Sequence, residues 1–390
     1  MSARRYSPME MIETLIGFPT VSADSNLNLI GFVRDYLSGR GIESRLTYDE
    51  SKRKANLFAT IGPDRPGGVV LSGHTDVVPV AGQPWESDPF TLTRRGDRIY
   101  GRGTSDMKSF IAVALALVPE FQKAGLRRPI HLALSYDEEV GCFGVPHMLR
   151  DIAANLPLPA MAIIGEPTSM QLANRHKGDL VFRTRFTGRD GHSSAPQRGL
   201  NAIFSAAEFL TFLSRLAAEL RDEGPQDESF DPPYTTVNVG QIDGGTAFNI
   251  VARRCEIIWE FRPLPSVAPE TIVARVRNFV ETELLPRMRQ AAEEAEVETA
   301  TLVALPPLMP EPDSPAEALI HALTGVNEAI GVAFGTEAGH FQQTGIPAVV
   351  FGPGSIQQAH KPDEFIEIAQ VEACVGFMRK LAAWAASSPP

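Results

Sequence analysis

The chain has 390 residues, 43% hydrophobic and 21% charged, enough for two domains or for one large domain carrying an insertion. Its 36 Lys and Arg against 47 Asp and Glu leave a net charge of −11. That balance argues against nucleic acid or an anionic membrane as a general partner, although a metal or a local Arg cluster can still govern a small site.

Arg4-Arg5 leads into Met-Glu-Met-Ile-Glu-Thr-Leu-Ile, an amphipathic helix pattern with two Glu rather than the apolar core of a secretory signal. No run approaches the ~18 apolar residues of a membrane span. Cys142, Cys255 and Cys374 are odd in number and far apart. Neither a disulfide framework nor a Cys-x-x-Cys metal site is expected, and a reduced cytoplasm is the expected setting.

Residues 8–18 and 26–40 read as helices, and 56–61 and 69–72 as strands. Residues 105–124 read as one helix packed through Ala-Val-Ala-Leu-Ala-Leu-Val. A strand at 130–136, a helix at 144–156 and a buried strand at 160–165 follow. Strands separated by helices of this length predict βαβ units and a largely parallel sheet. The pattern changes at Lys177, where residues 180–187 alternate as an antiparallel strand with one wet face does. A helix at 199–221, a polar Pro-rich loop at 222–233 and strands at 235–242 and 252–262 come next. A helix at 269–292 and a strand at 296–303 complete the order β-α-β-β-α-β of a small two-layer α+β module. The expected division is one domain from 1–176 and 304–390, interrupted by an inserted module at 177–303. The Ser-Ser-Pro-Pro tail reads as disordered.

Five segments place acids or imidazoles at strand ends or helix starts. Val-Val-Leu-Ser-Gly-His74-Thr-Asp76 is a buried-strand pattern running into a His and an Asp two positions apart. Alternate residues of extended chain share a side, so the Asp76 carboxylate can reach the His74 imidazole, as the partner of a metal-bound His does. Gly-Arg-Gly-Thr-Ser-Asp106-Met-Lys ends in an acid at a helix start, where a helix cap is the plainer reading. In Leu-Ser-Tyr-Asp137-Glu138-Glu139 three adjacent carboxylates repel one another and call for a cation nearby. Ile-Ile-Gly-Glu166-Pro and Gln-Gln-Ala-His360-Lys-Pro-Asp363-Glu364 complete the set. Strand-end acids are common as caps and solvated charges, so each segment is weak alone. Together they offer two His and several carboxylates at the carboxyl edge of one sheet, where open α/β folds gather their chemistry. Mixed His and carboxylate donors suit Zn²⁺ or its neighbours, not Ca²⁺ or an iron–sulfur cluster. Two ions bridged by one carboxylate would use five ligands and leave one Glu free.

These five motifs, in this order, resemble those of the co-catalytic zinc aminoacylase and carboxypeptidase family. The resemblance covers nearly the whole chain. It implies a zinc-peptidase-like α/β catalytic domain with a mixed, mainly parallel sheet flanked by helices. The inserted α+β module would be a lid and dimerisation domain, and the protein a homodimer. By position, the resemblance gives His74 and Glu166 to one Zn²⁺ and Glu139 and His360 to a second; Co²⁺ and Mn²⁺ tolerate the same donors. Asp106 would bridge the ions and precede a cis peptide to Met107. Asp76 would orient His74, Glu138 would be the general base, and His192, in Gly-His192-Ser-Ser-Ala-Pro, would reach the site of the partner subunit. Asn249, Arg262, Thr336 and Gly354 would contact the substrate, Arg262 by matching a carboxylate with its planar fork. Gly335-Thr336-Glu337-Ala and Phe351-Gly-Pro-Gly354 resemble the acetylornithine deacetylase branch more than the desuccinylase branch. The implied reaction is hydrolysis of an N-acyl amino acid, N2-acetyl-L-ornithine to L-ornithine and acetate in arginine synthesis. The alternatives are a desuccinylase, a glutamate-releasing carboxypeptidase, or a non-catalytic metal-binding relative, which should have lost Glu138.

Other features carry less. Gly101-Arg-Gly lacks the third glycine and the ribose acid of a dinucleotide loop. His131, His147 and His321 read as packed or surface histidines, and His176 and His340 receive no role. Glu337 is read either as the partner of a cationic substrate group or as a solvated acid. Cys142 reads as a small apolar core residue.

Overall fold

A computed structural model describes residues 4–387 and divides the chain into two compact units. One takes the chain up to Arg175, Pro310–Ile330 and everything from Thr336; the other takes His176–Met309 and Gly331–Gly335. The second unit continues past residue 303 because its last strand, Glu296–Leu305, runs beyond the point where alternation in the sequence fades. Of the tail, Ser387 still caps the last helix, with its N–H donating to the Ala383 and Trp384 carbonyls. The remaining tail residues lie outside the described part.

The first unit contains most of an eight-stranded sheet. Its order is Ser44–Tyr48, Ala55–Ile61, Ile130–Ser135, Val69–His74, Met161–Ile164, Ala348–Val350, Ala173–His176 and Ile330–Val332. Ile130–Ser135, Val69–His74 and Met161–Ile164 are buried at every residue, as their unbroken apolar runs require of strands covered on both faces. They run parallel, with His74 opposite Ser135 and Ser72 opposite Ile164, and Ala348–Val350 adds a fourth parallel strand. The carboxyl ends of all four strands therefore meet at one edge. Outside this centre the sheet turns antiparallel. Ala55–Ile61 runs against Ile130–Ser135 because the short loop at 62–68 can only reverse the chain, whereas a parallel return needs a crossover of about a dozen residues.

The helices obey local signals. Ser7 and Glu10 cap each other's backbone N–H at the start of Pro8–Ile16. The single helix expected at 105–124 is two, Lys108–Ala116 and Val118–Lys123. Pro119 has no N–H for the ladder, and the chain breaks at Leu117. Helix Lys108–Ala116 lies close on the sheet because glycines face it. A Cβ at Gly165 would come 2.1 Å from the Phe110 ring. Gly165→Ala is therefore expected to destabilise the unit by about 1–3 kcal/mol through overpacking, read as a lower urea midpoint at unchanged slope.

The second unit is a four-stranded antiparallel sheet in the order Thr236–Gly244, Arg254–Arg262, Asp179–Thr187, Glu296–Leu305. Its core is aromatic, with Phe182 stacked on Trp259 at 4.7 Å and Phe209 edge-on to both Phe186 and Trp259. The long helix starts at Ala202 rather than 199 because the Asn201 side chain accepts from the Ile203 N–H and caps it there. The helix expected at 269–292 is continuous but passes through a π-helical turn at Val280–Leu284. Among the described residues no helix is long and apolar enough to cross a membrane.

Candidate metal centre

His74 is the last residue of its strand and is buried. Its Nδ1 donates to the backbone carbonyl of Asp76 at 2.9 Å, while the Asp76 carboxylate stands 3.7 Å away. The expected orientation of His74 by Asp76 is thus made by the main chain. The Asp76 carboxylate is used elsewhere: it accepts from the Glu138 and Glu139 N–H groups at 3.2 and 3.3 Å and from Ser22 Oγ at 2.7 Å. It holds the backbone of the acidic pair. Of the three adjacent acids, Asp137 turns away, at φ +57°, and pairs with Lys54. Glu138 and Glu139 face inward instead, Glu139 toward His360.

Asp106 does not cap the following helix; Met107 holds that position and no side chain caps it. The Asp106–Met107 peptide is cis. The two oxygens of the Asp106 carboxylate point at two different histidines. Oδ1 lies 3.0 Å from His74 Nε2, and Oδ2 lies 3.3 Å from His360 Nε2. Each histidine faces one further acid: Glu166 at 3.7 Å from His74, and Glu139 at 2.9 Å from His360. His74, Asp106 and Glu139, and separately His74, Glu138 and Glu166, offer donor atoms within 4.8 Å of one another. All six residues that the sequence assigns to ligation and base chemistry therefore converge at the carboxyl edge of the sheet.

The electrostatics show a cluster short of positive charge. Burial pushes Glu138 and Glu166 well above the usual carboxylate range and lifts Glu139 to about 7, with the Asp106 charge adding to the last two. For Asp106 burial also acts upward, but hydrogen bonds from His360 and His74 prevail and hold it low. His360, whose side chain is 55% exposed, is drawn up to about 10 by its bonds to Asp106 and Glu139. For His74 burial acts downward but is outweighed by Asp106, Glu166 and Glu138, so it too is raised. With Nδ1 donating to a carbonyl, a neutral His74 would turn the lone pair of Nε2 toward Asp106 Oδ1. Two acceptors stand 3.0 Å apart only with a proton or a cation between them. Glu166 Oε1 is buried with no hydrogen-bond partner. Donors at 2.0–2.2 Å around a tetrahedral ion lie about 3.3 Å apart, within the 2.9 to 3.7 Å observed between these side chains. The donor set fits a pair of divalent ions.

The residues expected to contact substrate are more scattered. Thr336 is buried, its Oγ1 accepting from the Ala338 N–H at 3.1 Å. Gly354 has φ +87°, and a Cβ there would come 2.5 Å from Ser105 Oγ, so glycine is needed whatever else the position does. Within the second unit His192 and Asn249 are exposed; His192 Nδ1 meets Ser194 Oγ at 2.8 Å. Arg262 is engaged by Asp179 and Glu260 at 3.2 and 3.4 Å. Glu337 is no solvated acid: it is buried, burial lifts it to about 7, and its Oε2 lies 3.4 Å from Ser72 Oγ. Cys142 is buried as expected, but its thiol points at Glu138 Oε1, 3.5 Å away. The sequence reading missed Arg102, Glu364 and Gln83, which surround the Asp106 loop. All three sit in or near the quoted motifs, but only their contacts reveal a role.

Comparison with known proteins agrees with this geometry. The profile of peptidase family M20/M25/M40 matches residues 70–384. The acetylornithine deacetylase of Yersinia pestis is 37% identical over 380 residues, covering 93% of this chain and 94% of that protein. An M20 family metallo-carboxypeptidase from Sulfolobus solfataricus superposes with a TM-score of 0.75 at 19% identity, over 98% of this chain and 99% of that one. A Bacillus subtilis protein described as a dinuclear metal binding peptidase superposes with a TM-score of 0.66 at 15% identity, over 97% of both chains. This chain belongs to peptidase family M20/M25/M40 and is a hydrolase.

Proposed function

We propose that the protein is a di-zinc amidohydrolase that removes the acetyl group from N2-acetyl-L-ornithine, releasing L-ornithine and acetate. The observation that carries the reading is the single Asp106 carboxylate, one oxygen facing His74 with Glu166 and the other facing His360 with Glu139. His74 and Glu166 would hold one ion, His360 and Glu139 the other, and Asp106 both. The dinuclear character of the Bacillus subtilis relative supports that count. When bound, such ions supply a water of lowered pKa and polarise the amide carbonyl.

Glu138 would take the water proton on its carboxyl oxygen and return it to the departing nitrogen. The Asp76 carboxylate that accepts from its N–H keeps it fixed for that task. The second unit would act as lid and dimerisation domain of a cytoplasmic homodimer. From it His192 would donate to the carbonyl oxygen as charge builds there, in the partner's site. Asn249 and Arg262 would meet the substrate carboxylate, with Thr336 and Gly354 lining the pocket. To bind substrate, Arg262 would have to share or leave Asp179 and Glu260.

The acetylornithine deacetylases that match over more than nine-tenths of both chains favour ornithine over the other branches. A panel of N-acetyl, N-succinyl and glutamyl amides, assayed on protein of measured metal content, tests this. N2-acetyl-L-ornithine is expected to lead the panel in kcat/KM by roughly ten- to hundredfold. Equal turnover of unrelated N-acyl amino acids would overturn the substrate assignment and leave the amidohydrolase reading standing.

A further inference from the structure

Beside the proposed metal ligands lies a buried ion pair with no part in the chemistry above. Arg102 and Glu364 are both fully enclosed, with Arg102 NH1 2.7 Å from Glu364 Oε2. The same Oε2 accepts from the Gly103 N–H at 3.1 Å. Oε1 accepts from the Ser105 and Asp106 N–H groups at 2.8 and 3.1 Å. Four donors thus fill the four lone-pair sites of one carboxylate. Three of those donors are backbone groups of the loop that presents Asp106. Glu364 is itself held in place, because Phe365–Glu367 pairs with Arg98–Tyr100 and the Gly101 N–H donates to the Glu364 carbonyl at 2.9 Å.

The pair also reaches the other side of the centre. Arg102 NH2 donates to Gln83 Oε1 at 2.7 Å, and Gln83 Nε2 donates to the His360 carbonyl at 3.0 Å. Asp363 accepts from the Glu86 N–H at 3.0 Å. His360 and Asp363 sit at φ +63° and +53°. Non-glycine residues hold such angles only where their surroundings insist on it. The His360 loop is therefore under constraint, and its supports run through Gln83 and Glu86.

We infer that Glu364, Arg102 and Gln83 are positioning residues that set the spacing between Asp106 and His360, and so govern how tightly the ion on the His360 side is held. The inference rests on the two-ion reading above. Glu364 is four residues from His360 in sequence and bonded to the Asp106 N–H in space, so a single side chain ties the two loops that this ion must span. His74 and Glu166 themselves stand at strand ends outside this network, which reaches their ion only through the shared Asp106.

The test is stepwise Zn²⁺ binding to metal-free protein, read by chelator competition, for the wild type, Glu364→Gln and Gln83→Ala. In Glu364→Gln an amide NH₂ replaces one oxygen and faces two donors, including Arg102 or Asp106. Gln83→Ala frees the His360 carbonyl, removes an acceptor from Arg102 and Trp85, leaves Glu364 and its four donors in place, and so guards against loss of folding in the first variant. The wild type is expected to bind two ions. Both variants are expected to lose about ten- to hundredfold in the affinity for the ion on the His360 side and less for the other, which His74 and Glu166 still hold. Excess Zn²⁺ should restore kcat at unchanged KM, which a general loss of packing would not allow. Wild-type protein with two ions and variants with both affinities intact would overturn the inference alone. Wild-type protein that binds no second ion would overturn the two-ion reading together with it.

Discussion

Glu138→Gln is expected to lower kcat by about 10²- to 10⁴-fold while two ions remain bound and KM stays near the wild-type value. The substitution keeps the size of the side chain and removes its ability to take and hold a proton. The fold around it should not respond. Its N–H still donates to Asp76 Oδ1 at 3.2 Å, and the neighbouring Glu139 N–H still donates to Oδ2 at 3.3 Å. The ligands His74, Asp106, Glu139, Glu166 and His360 are untouched. Metal analysis on the assayed sample gives the measurement its force, because Glu138 also lies within donor range of His74 and Glu166. A variant that loses an ion would make Glu138 a ligand. One that keeps both ions and full turnover would leave the reaction without its base.

Exhaustive chelation is expected to abolish turnover and to leave a folded protein whose stability falls as pH rises. The sign follows from the raised carboxyls. Glu139 stands at about 7 in the folded chain against 4.5 in a free chain, with a side chain only 5% exposed. The folded state therefore binds its proton more tightly, and the stability that this confers is complete below pH 4.5 and lost as pH climbs through 7. The loss for this one group is roughly 3 kcal/mol. Glu337, also lifted to about 7, acts in the same direction and window. His340, pushed down to about 4 by burial, acts oppositely. Thermal melts of metal-free wild type and Glu139→Gln between pH 5 and 8 isolate the Glu139 share. The wild type should lose stability relative to the variant across that range. Added Zn²⁺ should raise the wild-type melting temperature more at pH 8 than at pH 5, since ions compete with protons for these donors. A gap between the two proteins that does not change with pH would contradict the assigned burial of Glu139.

Much of the centre was legible because each element carries its own local signal. Val69–His74 announces itself by a short unbroken apolar run, and the acid or imidazole that follows such a run must stand at the end of a strand. Three adjacent acids after Ile130–Ser135 call for a cation nearby, and two of them meet different protein partners. Lys54 answers for Asp137, and His360 stands 2.9 Å from Glu139. Other features were not legible. Asp76 was expected to hold His74 through its carboxylate, yet the carbonyl does so, because the strand ends at His74 and the turn sends the side chain toward the Glu138 and Glu139 backbone. Alternation of side chains applies only while the chain stays extended. The break at Leu117 was marked by Pro119 but hidden under a continuous apolar pattern.

Taken alone, the order of residues determined which segments become buried strands, where helices start, and which side chains stand at their ends, since these depend on neighbours a few positions away. It also carried the motifs that identify the family. What only the folded chain decided was the meeting of parts far apart: that both oxygens of Asp106 are used, that Asp137 leaves the acidic cluster for Lys54, and that Glu364 bonds the backbone of a loop more than 250 positions earlier. The reason is physical. Propensity and periodicity act within a turn or two, whereas a buried charge is placed by whichever donors the fold brings to it, and a linear pattern contains no record of those partners.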